Sequence, residues 1–382
     1  MLQVDIDNNN KYLGEPEIPV EIDEDSSSII MIDKPFDPRD VDIKIKPTTL
    51  DTLLRRLERE EIDMKTYFQR SADLWDDTKQ SRLIESLLIR FPLPAFYFDG
   101  SNDDKWLIVD GLQRLSSLDN FVIKKTLRLK NLEFLQELNG LTYDQLPRDL
   151  QRRISESEIT IYIINPGTPE EVKFNIFKRI NTGGLMLESQ EIRHALFQGV
   201  ATDFISSLAE SIEFKEATNN ALSSKRMIDR DFVTRFVAFY TLGYNSYKPD
   251  MDYFLNEFME KLSKYSEKKL NDISEVFKRT MVVSKEIFSE YTFRKFTDFK
   301  SPKKPLNKSL FEAWSVIIAC LTIEEQKFLI ENKETVKAEF AKILKEDRAF
   351  ESSITTGTSD KNKVIKRFQT IENLVQNILN SL

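Results

Sequence analysis

Five consecutive residues, Asp110, Gly111, Leu112, Gln113 and Arg114, bring together a carboxylate, a bare backbone position, a neutral amide and a guanidinium. A strand-like run over residues 105–109 precedes them and a helix-like run over 115–121 follows. A strand that stops at Asp-Gly and restarts as a helix leaves backbone N–H groups unpaired at the turn. With the helix dipole behind them, those groups suit an anion. Gly111 lets a ligand approach the backbone closely. Arg114 can offer a bidentate guanidinium, and Gln113 a neutral donor and acceptor. Asp110 would repel a phosphate unless a cation or a proton intervenes, so the set reads as a metal–nucleotide site. The alternative is a helix start carrying an Asp110–Arg114 pair one turn apart.

Other groups admit two readings each. Asn181, Thr182, Gly183 and Gly184 end a helix-like run over 170–180. They are a helix-stopping turn or a second nest of N–H groups for an anion or a ribose. Glu85 sits in an amphipathic helical pattern over 80–91, either solvated or as a second carboxylate for metal or water. Glu191 and Arg193 form a structural ion pair or part of a site wall. His194 is the only histidine, which excludes HExxH proteases, two-histidine metal sites and the usual zinc fingers. Cys320 is the only cysteine and reads as a small buried hydrophobe, with no disulfide framework within the chain.

The elements that must position these residues follow from periodicity. Residues 41–46 alternate as a strand, and Thr49 is placed to cap a helix over 50–61. Strands are expected at 95–98, 105–109 and 158–164, with a helix over 80–91 stopped by Pro92 and Pro94. After Pro169 the pattern is helical: 170–180, 189–197, 229–241, 250–265, 270–288, 308–321, 323–345 and 363–379. The expected class is α+β, with an irregular all-helical bundle after residue 168.

Charge is unevenly placed. Residues 1–40 hold eleven Asp/Glu and three Lys/Arg and so carry the whole net charge of −8. That segment reads as an acidic flexible arm, either solubilising, or DNA-mimicking and autoinhibitory. The remaining 342 residues hold 52 charges of each sign, which argues against coating nucleic acid through bulk charge. The stretch from Phe293 to Lys308 interleaves phenylalanines with cations, a pattern for packing or for phosphate and base contacts. No apolar run reaches the ~18 residues of a membrane span and no leader pattern opens the sequence, so the expected compartment is the cytoplasm, with no membrane partner.

Several blocks together carry a family resemblance. They are Phe68-Gln69-Arg70, Trp75-Asp76, residues 82–88, Pro92-Leu93-Pro94 and residues 109–115. Further along come residues 177–184 with Leu187, residues 190–193, residues 226–236, and Phe293-Arg294-Lys295 followed by residues 305–311. In this order they resemble the N-terminal domain of the GmrSD-type restriction endonucleases, a ParB/sulfiredoxin-like fold with an Asp-Gly-Gln-Gln-Arg signature. Leu112 departs from that signature, standing where the family has its first Gln.

The resemblance implies nucleotide binding, often with hydrolysis, in bacterial defence against foreign DNA. It implies a ParB/sulfiredoxin-like nucleotide-binding domain over 41–168 and a helical domain over 169–382. Phosphates of ATP, GTP or CTP would sit at Gly111, Gln113 and Arg114. Gln69 and Arg70 would stand beside the nucleotide, as would Asn181, Gly183 and Gly184. Mg²⁺ would be held by Asp110, the catalytic candidate, with Glu85 as the second carboxylate. Larger family members carry an HNH nuclease domain that needs a histidine base, and residues 200–382 contain none. A separate nuclease or modification subunit is therefore an expected partner, with DNA as another. Two alternatives stand beside this reading: a ParB-like metal-dependent DNA nuclease using Asp110, and a non-catalytic interaction module, which Leu112 favours.

Overall fold

The computed structural model describes residues 20–21, 39, 41–64, 75–180, 187–296 and 303–380. Its five strands are β1 Ile43–Thr49, β2 Ile62–Asp63, β3 Phe96–Asp99, β4 Trp106–Asp110 and β5 Glu158–Ile164. They form one sheet in the order β1-β5-β3-β4-β2. The β1–β5 and β3–β4 pairs are antiparallel; β5–β3 and β4–β2 are parallel. β1 runs on through Pro47 to Thr49 instead of stopping at residue 46, as alternation predicts. Pro47 cannot donate to a ladder, and β1 tolerates it because it is an edge strand.

Four helices accompany the strands: α1 Leu50–Glu58, α2 Asp77–Leu88, α3 Leu112–Leu118 and α4 Arg148–Ser155. Two lead away from the sheet, α5 Glu170–Ile180 and α6 Ser189–Leu196. The rest of the chain is helical: α7 Val200–Ala209, α8 Ile212–Ala217, α9 Ile228–Leu242, α10 Met251–Leu262 and α11 Glu267–Phe288. It continues with α12 Lys308–Ala319, α13 Ile323–Glu331, α14 Lys333–Glu346, α15 Arg348–Ser353 and α16 Lys361–Leu379. The architecture is α+β, a mixed sheet followed by many helices. Among the described residues, no helix is long and apolar enough to cross a membrane.

Local chemistry explains the boundaries. Thr49 ends β1 and caps α1, its hydroxyl accepting from the Thr52 N–H. Asp76 caps α2 in the same way through the Lys79 N–H at 2.8 Å. The single helix expected over 323–345 is two, broken at Asn332. There the side-chain amide donates to the Phe328 carbonyl, and the backbone leaves the helical region. Short polar helices such as α4, α8 and α15 escape the periodicity because each buries only one or two residues.

Three apolar clusters follow from the two sheet faces and the bundle. Phe96, Phe98 and Ile108 face α1 and α2, meeting Leu50, Leu54, Ile84 and Leu88. Val109 and Ile164 point to the opposite face, where Phe174 and Phe177 of α5 and Ile192 of α6 cover them. The third and largest cluster gathers α7 to α16 around rings such as Phe236, Phe277, Trp314 and Phe368. α12 runs through its middle, buried at every position from Ser309 to Ala319. It leaves the core at Cys320, which is exposed at the helix end and is not the buried hydrophobe expected.

One carboxylate lies inside this bundle. Glu312 is fully buried; one oxygen takes Arg235 and the other takes Arg367, itself fully buried. Removing one cation leaves a buried charge half-compensated, which costs about 3–5 kcal/mol in comparable sites. Arg367→Met should lower the urea midpoint of the full chain accordingly. An unchanged midpoint would show that the pair contributes nothing net to the bundle.

Candidate functional site

The strand register aims the central carboxylate. Between Tyr97 and Phe98 the β3–β4 pairing shifts, so Tyr97 lies opposite Asp110 and Phe98 opposite Ile108. The irregularity turns Val109 and Asp110 toward the same face, the one that carries Tyr97. The Asp110 side chain keeps 27% of its surface exposed there. Gly111 follows at φ +104° and opens α3 without a side-chain cap. A Cβ at this position would lie 2.5 Å from the Phe96 ring, so both the backbone angle and the available space require glycine.

The expected phosphate contact from Arg114 meets a competing use. Its guanidinium donates to the Pro94 carbonyl, to the Ala95 carbonyl at 3.1 Å and to Asp110 Oδ2 at 2.7 Å. It also lies over the Phe96 ring, 4.5 Å from the centroid. With only 10% of the side chain exposed, Arg114 forms the wall of the turn and fixes the Asp110 carboxylate. Burial raises the Asp110 carboxyl above its ordinary value against the pull of Arg114. Burial likewise lowers Arg114 against the pull of Asp110. Dehydration thus outweighs attraction on both sides of the pair, and Asp110 takes a proton more readily than an exposed aspartate.

Two residues at this site are not evident from the motif itself. Tyr97 stacks on Tyr162 of β5, ring centroids 4.7 Å apart and planes within 8°. Burial, followed by the neighbouring Tyr162 and Asp110, raises the Tyr97 hydroxyl above its ordinary value. Their signal in the sequence is alternation: both stand on the face of their strands opposite the isoleucines and phenylalanines of the first core. Gln113 turns elsewhere, its side-chain oxygen accepting the Trp75 N–H at 3.2 Å. It thereby holds the backbone just before α2.

Gln69 and Arg70 precede that point and lie outside the described residues, as do Asn181, Gly183 and Gly184. The helix leading to the latter group is well anchored. Lys173 of α5, 4% exposed, donates to Ser101 Oγ at 2.6 Å and Glu170 at 2.7 Å, with Asp99 at 3.6 Å. Phe174 and Phe177 then seat α5 beside Val109 of β4.

Glu85 has a different role from the metal ligand expected. Its two oxygens accept the backbone N–H groups of Glu133, Phe134 and Leu135 at 3.0, 2.7 and 2.8 Å. Burial alone would raise its carboxyl; the three backbone donors and Arg82 hold it below the ordinary value. The residue clamps a loop onto α2. Among the described residues no group of three or more His, Cys, Asp or Glu side chains is placed to share a metal. Mg²⁺ commonly uses one or two carboxylates and completes its shell with water and phosphate oxygens. A lone carboxylate such as Asp110 meets that requirement in number.

The pair Glu191 and Arg193 do not meet each other. Glu191 bonds Arg226 at 3.0 Å and the Glu188 N–H at 2.8 Å. Arg193, 1% exposed, bonds Asp252 at 2.8 Å and Asp231 at 3.4 Å. Both tie α6 to the bundle. His194 is 2% exposed and lowered to about 4 by burial and by Arg230, so it is neutral at pH 7 and shut from solvent. Among the described residues of the Phe293 to Lys308 stretch, Phe293, Arg294, Lys295, Phe296, Leu306 and Asn307 are buried. Lys303 pairs with Glu290 and Lys308 with Asp231, both at 2.8 Å, while Lys304 is exposed and Lys300 lies outside the described residues. For the buried residues of this segment the packing reading holds.

Glu85→Gln separates clamp from ligand. It swaps one acceptor oxygen for an amide facing N–H donors, so the full chain should lose about 2–3 kcal/mol by urea unfolding. Amide exchange should accelerate at residues 133–135. Unchanged stability together with altered Mg²⁺ affinity would restore the metal role.

The geometry agrees with a comparison of the sequence to known families. Residues 53–198 match the family model described as GmrSD restriction endonuclease, N-terminal domain. No curated protein matches the chain. The matched span runs from within α1 through strands β2 to β5, the β4–α3 turn and α5 to the end of α6, with β1 ahead of it. The blocks at 226–236 and 293–311 lie beyond it. Over residues 53–198 the protein is thus similar to the N-terminal domain of the GmrSD restriction endonucleases, a domain of restriction systems.

Proposed function

We propose that this protein is the nucleotide-responsive component of a restriction system, binding a nucleoside triphosphate with Mg²⁺ at the β4–α3 turn. The observation that carries the reading is the turn itself. A left-handed Gly111 opens an uncapped helix beside a partly exposed Asp110 whose orientation Arg114 fixes. Backbone N–H groups at the start of α3 would supply the phosphate contacts, since anions settle where the donors of a helix's first turn point away from it. Gln113 and Arg114 support them from behind, one through Trp75 and the other through Asp110. The Tyr97–Tyr162 stack offers a flat apolar wall on the same face.

Asp110 would hold Mg²⁺ as its one protein ligand, and the ion would neutralise charge on the phosphates. Without the ion, the raised carboxyl can accept a proton from water held at the turn. DNA cleavage falls to a separate nuclease subunit in this reading, with nucleotide state passed through α5 and α6 to the helical bundle. That transmission rests on the packing of Phe177 and Ile192 against Val109. A second reading, binding without turnover, is favoured by Leu112, which packs into the first core and offers no polar group.

Calorimetry of the full chain with ATP, GTP and CTP plus Mg²⁺ tests binding. At least one should bind, and Asp110→Asn should abolish phosphate release while changing affinity by less than about tenfold. Binding without release by the unaltered chain selects the second reading. Absence of heat with all three nucleotides contradicts the proposal.

A further inference from the structure

A cavity of about 870 Å³ lies within the helical bundle, remote in sequence from the β4–α3 turn. Its volume is in the range that holds a nucleotide-sized ligand. The first turns of five helices, α6, α9, α10, α12 and α16, line it, along with the segment over 354–360. Each helix start carries roughly half a positive charge. Carboxylates already offset four of the five: Glu188 caps α6, Asp231 and Asp252 stand in the first turns of α9 and α10, and Asp360 caps α16. The start of α12, capped by Asn307 with no acidic residue in its first turn, is the one left to favour an anion from elsewhere. Three of the blocks that carry the family resemblance, 190–193, 226–236 and 305–311, meet on its walls although they are far apart in sequence.

The walls hold cations in two settings. Arg193 and Arg235 are neutralised in place, with Asp231 and Asp252 as their acceptors. Lys308 and Lys363 are closer to the open space. Lys308 shares Asp231 with the arginines yet keeps 36% of its side chain exposed, and Lys363 donates to the neutral Thr356 carbonyl.

An anion from a distant part of the chain already occupies one end. The carboxylate of Glu21, within the acidic first forty residues, accepts from Lys295 Nζ and from Asn307 Nδ2, the latter at 2.9 Å. Asn307 is the residue that caps α12. The Glu21 N–H donates to the Leu306 carbonyl at 2.8 Å, and Val20 is buried in the bundle core. The Glu21 side chain remains 26% exposed, so its contacts can be exchanged without opening the core.

We propose that this cavity is a second binding site, for a phosphate-bearing ligand, and that Glu21 is its resident competitor. A phosphate group would replace the Glu21 carboxylate between Lys295, Asn307 and the start of α12, with Lys308 and Lys363 meeting the remaining negative charge. Glu21 then regulates the site by occupying it. Free polyphosphate and nucleotides share the required chemistry, and the site stands independently of the nucleotide proposed at Asp110.

The test uses the full chain, and the Glu21 and Lys363 variants separate the cavity from the β4–α3 turn, since neither residue belongs to that turn. Calorimetric titrations with inorganic tripolyphosphate and with ATP, both without Mg²⁺, read the cavity. Glu21→Gln should tighten binding about tenfold, because it removes a charge-assisted competitor. Lys308→Ala and Lys363→Ala should each weaken it by a similar factor; Lys363→Ala serves if loss of the Asp231 contact unfolds the Lys308 variant. Equal affinities for the two ligands identify the phosphates as the recognised group, and tighter ATP binding adds the nucleoside. No binding of either ligand, or an affinity indifferent to Glu21 and Lys363, overturns the proposal. Failure of nucleotide binding at Asp110 would leave these titrations unchanged.

Discussion

A chain of buried charges holds the helical part of this protein in one arrangement. Arg193 of α6 joins Asp252 of α10 and Asp231 of α9; Asp231 also takes Arg235 and Lys308; Arg235 reaches Glu312 of α12, which takes Arg367 of α16. Five helices thus share a single ionic path. Burial alone would raise the Asp231 carboxyl, but Arg235, Lys308 and Arg193 hold it far below the ordinary value. Asp252 is lowered to about 2, burial being outweighed by Arg193 and Lys178. Groups lowered in this way contribute stability above the unfolded carboxylate range. That contribution is lost only as pH falls through the folded values. The network also explains how α6 can serve the sheet: Arg193 fixes it to the bundle while Ile192, on its other side, covers Val109 and Ile164.

The β4–α3 turn repeats the same device on a smaller scale. Arg114 satisfies two carbonyls of the segment before β3 and the Asp110 carboxylate, and the Phe96 ring lies beneath it. Its effect is to immobilise a carboxylate that would otherwise rotate at a strand end. Preorganised charge beside a helix start is what a phosphate–metal ligand requires. The arginine's part is positional, which is why substituting it would disturb the fold and the site together.

Much of this was legible in the sequence. The strand–Asp-Gly–helix order placed the turn, Thr49 marked a helix start, and β5 and α5 follow the expected ranges. Period and capping chemistry are local, and so they survive folding. Long-range partners are not local. Nothing around Glu85 announces that a loop some fifty residues later will use both its oxygens. Nothing beside Arg114 shows that Pro94 and Ala95 will fold back onto it. The cavity was hidden for the same reason: its walls come from five helices spread over nearly half the chain. Glu21 looked like one more charge in an acidic arm until its partners Lys295 and Asn307 were brought to it.

The central claim is that the Asp110–Gly111 turn receives the phosphates of a nucleotide. A crystal structure of the full chain with Mg²⁺ and a non-hydrolysable nucleoside triphosphate addresses it most directly. The account predicts phosphate oxygens within hydrogen-bond reach of the N–H groups that open α3, with the metal beside Asp110 and Arg114 still bonded to Pro94 and Ala95. Phosphates bound elsewhere, with the turn empty, would contradict it.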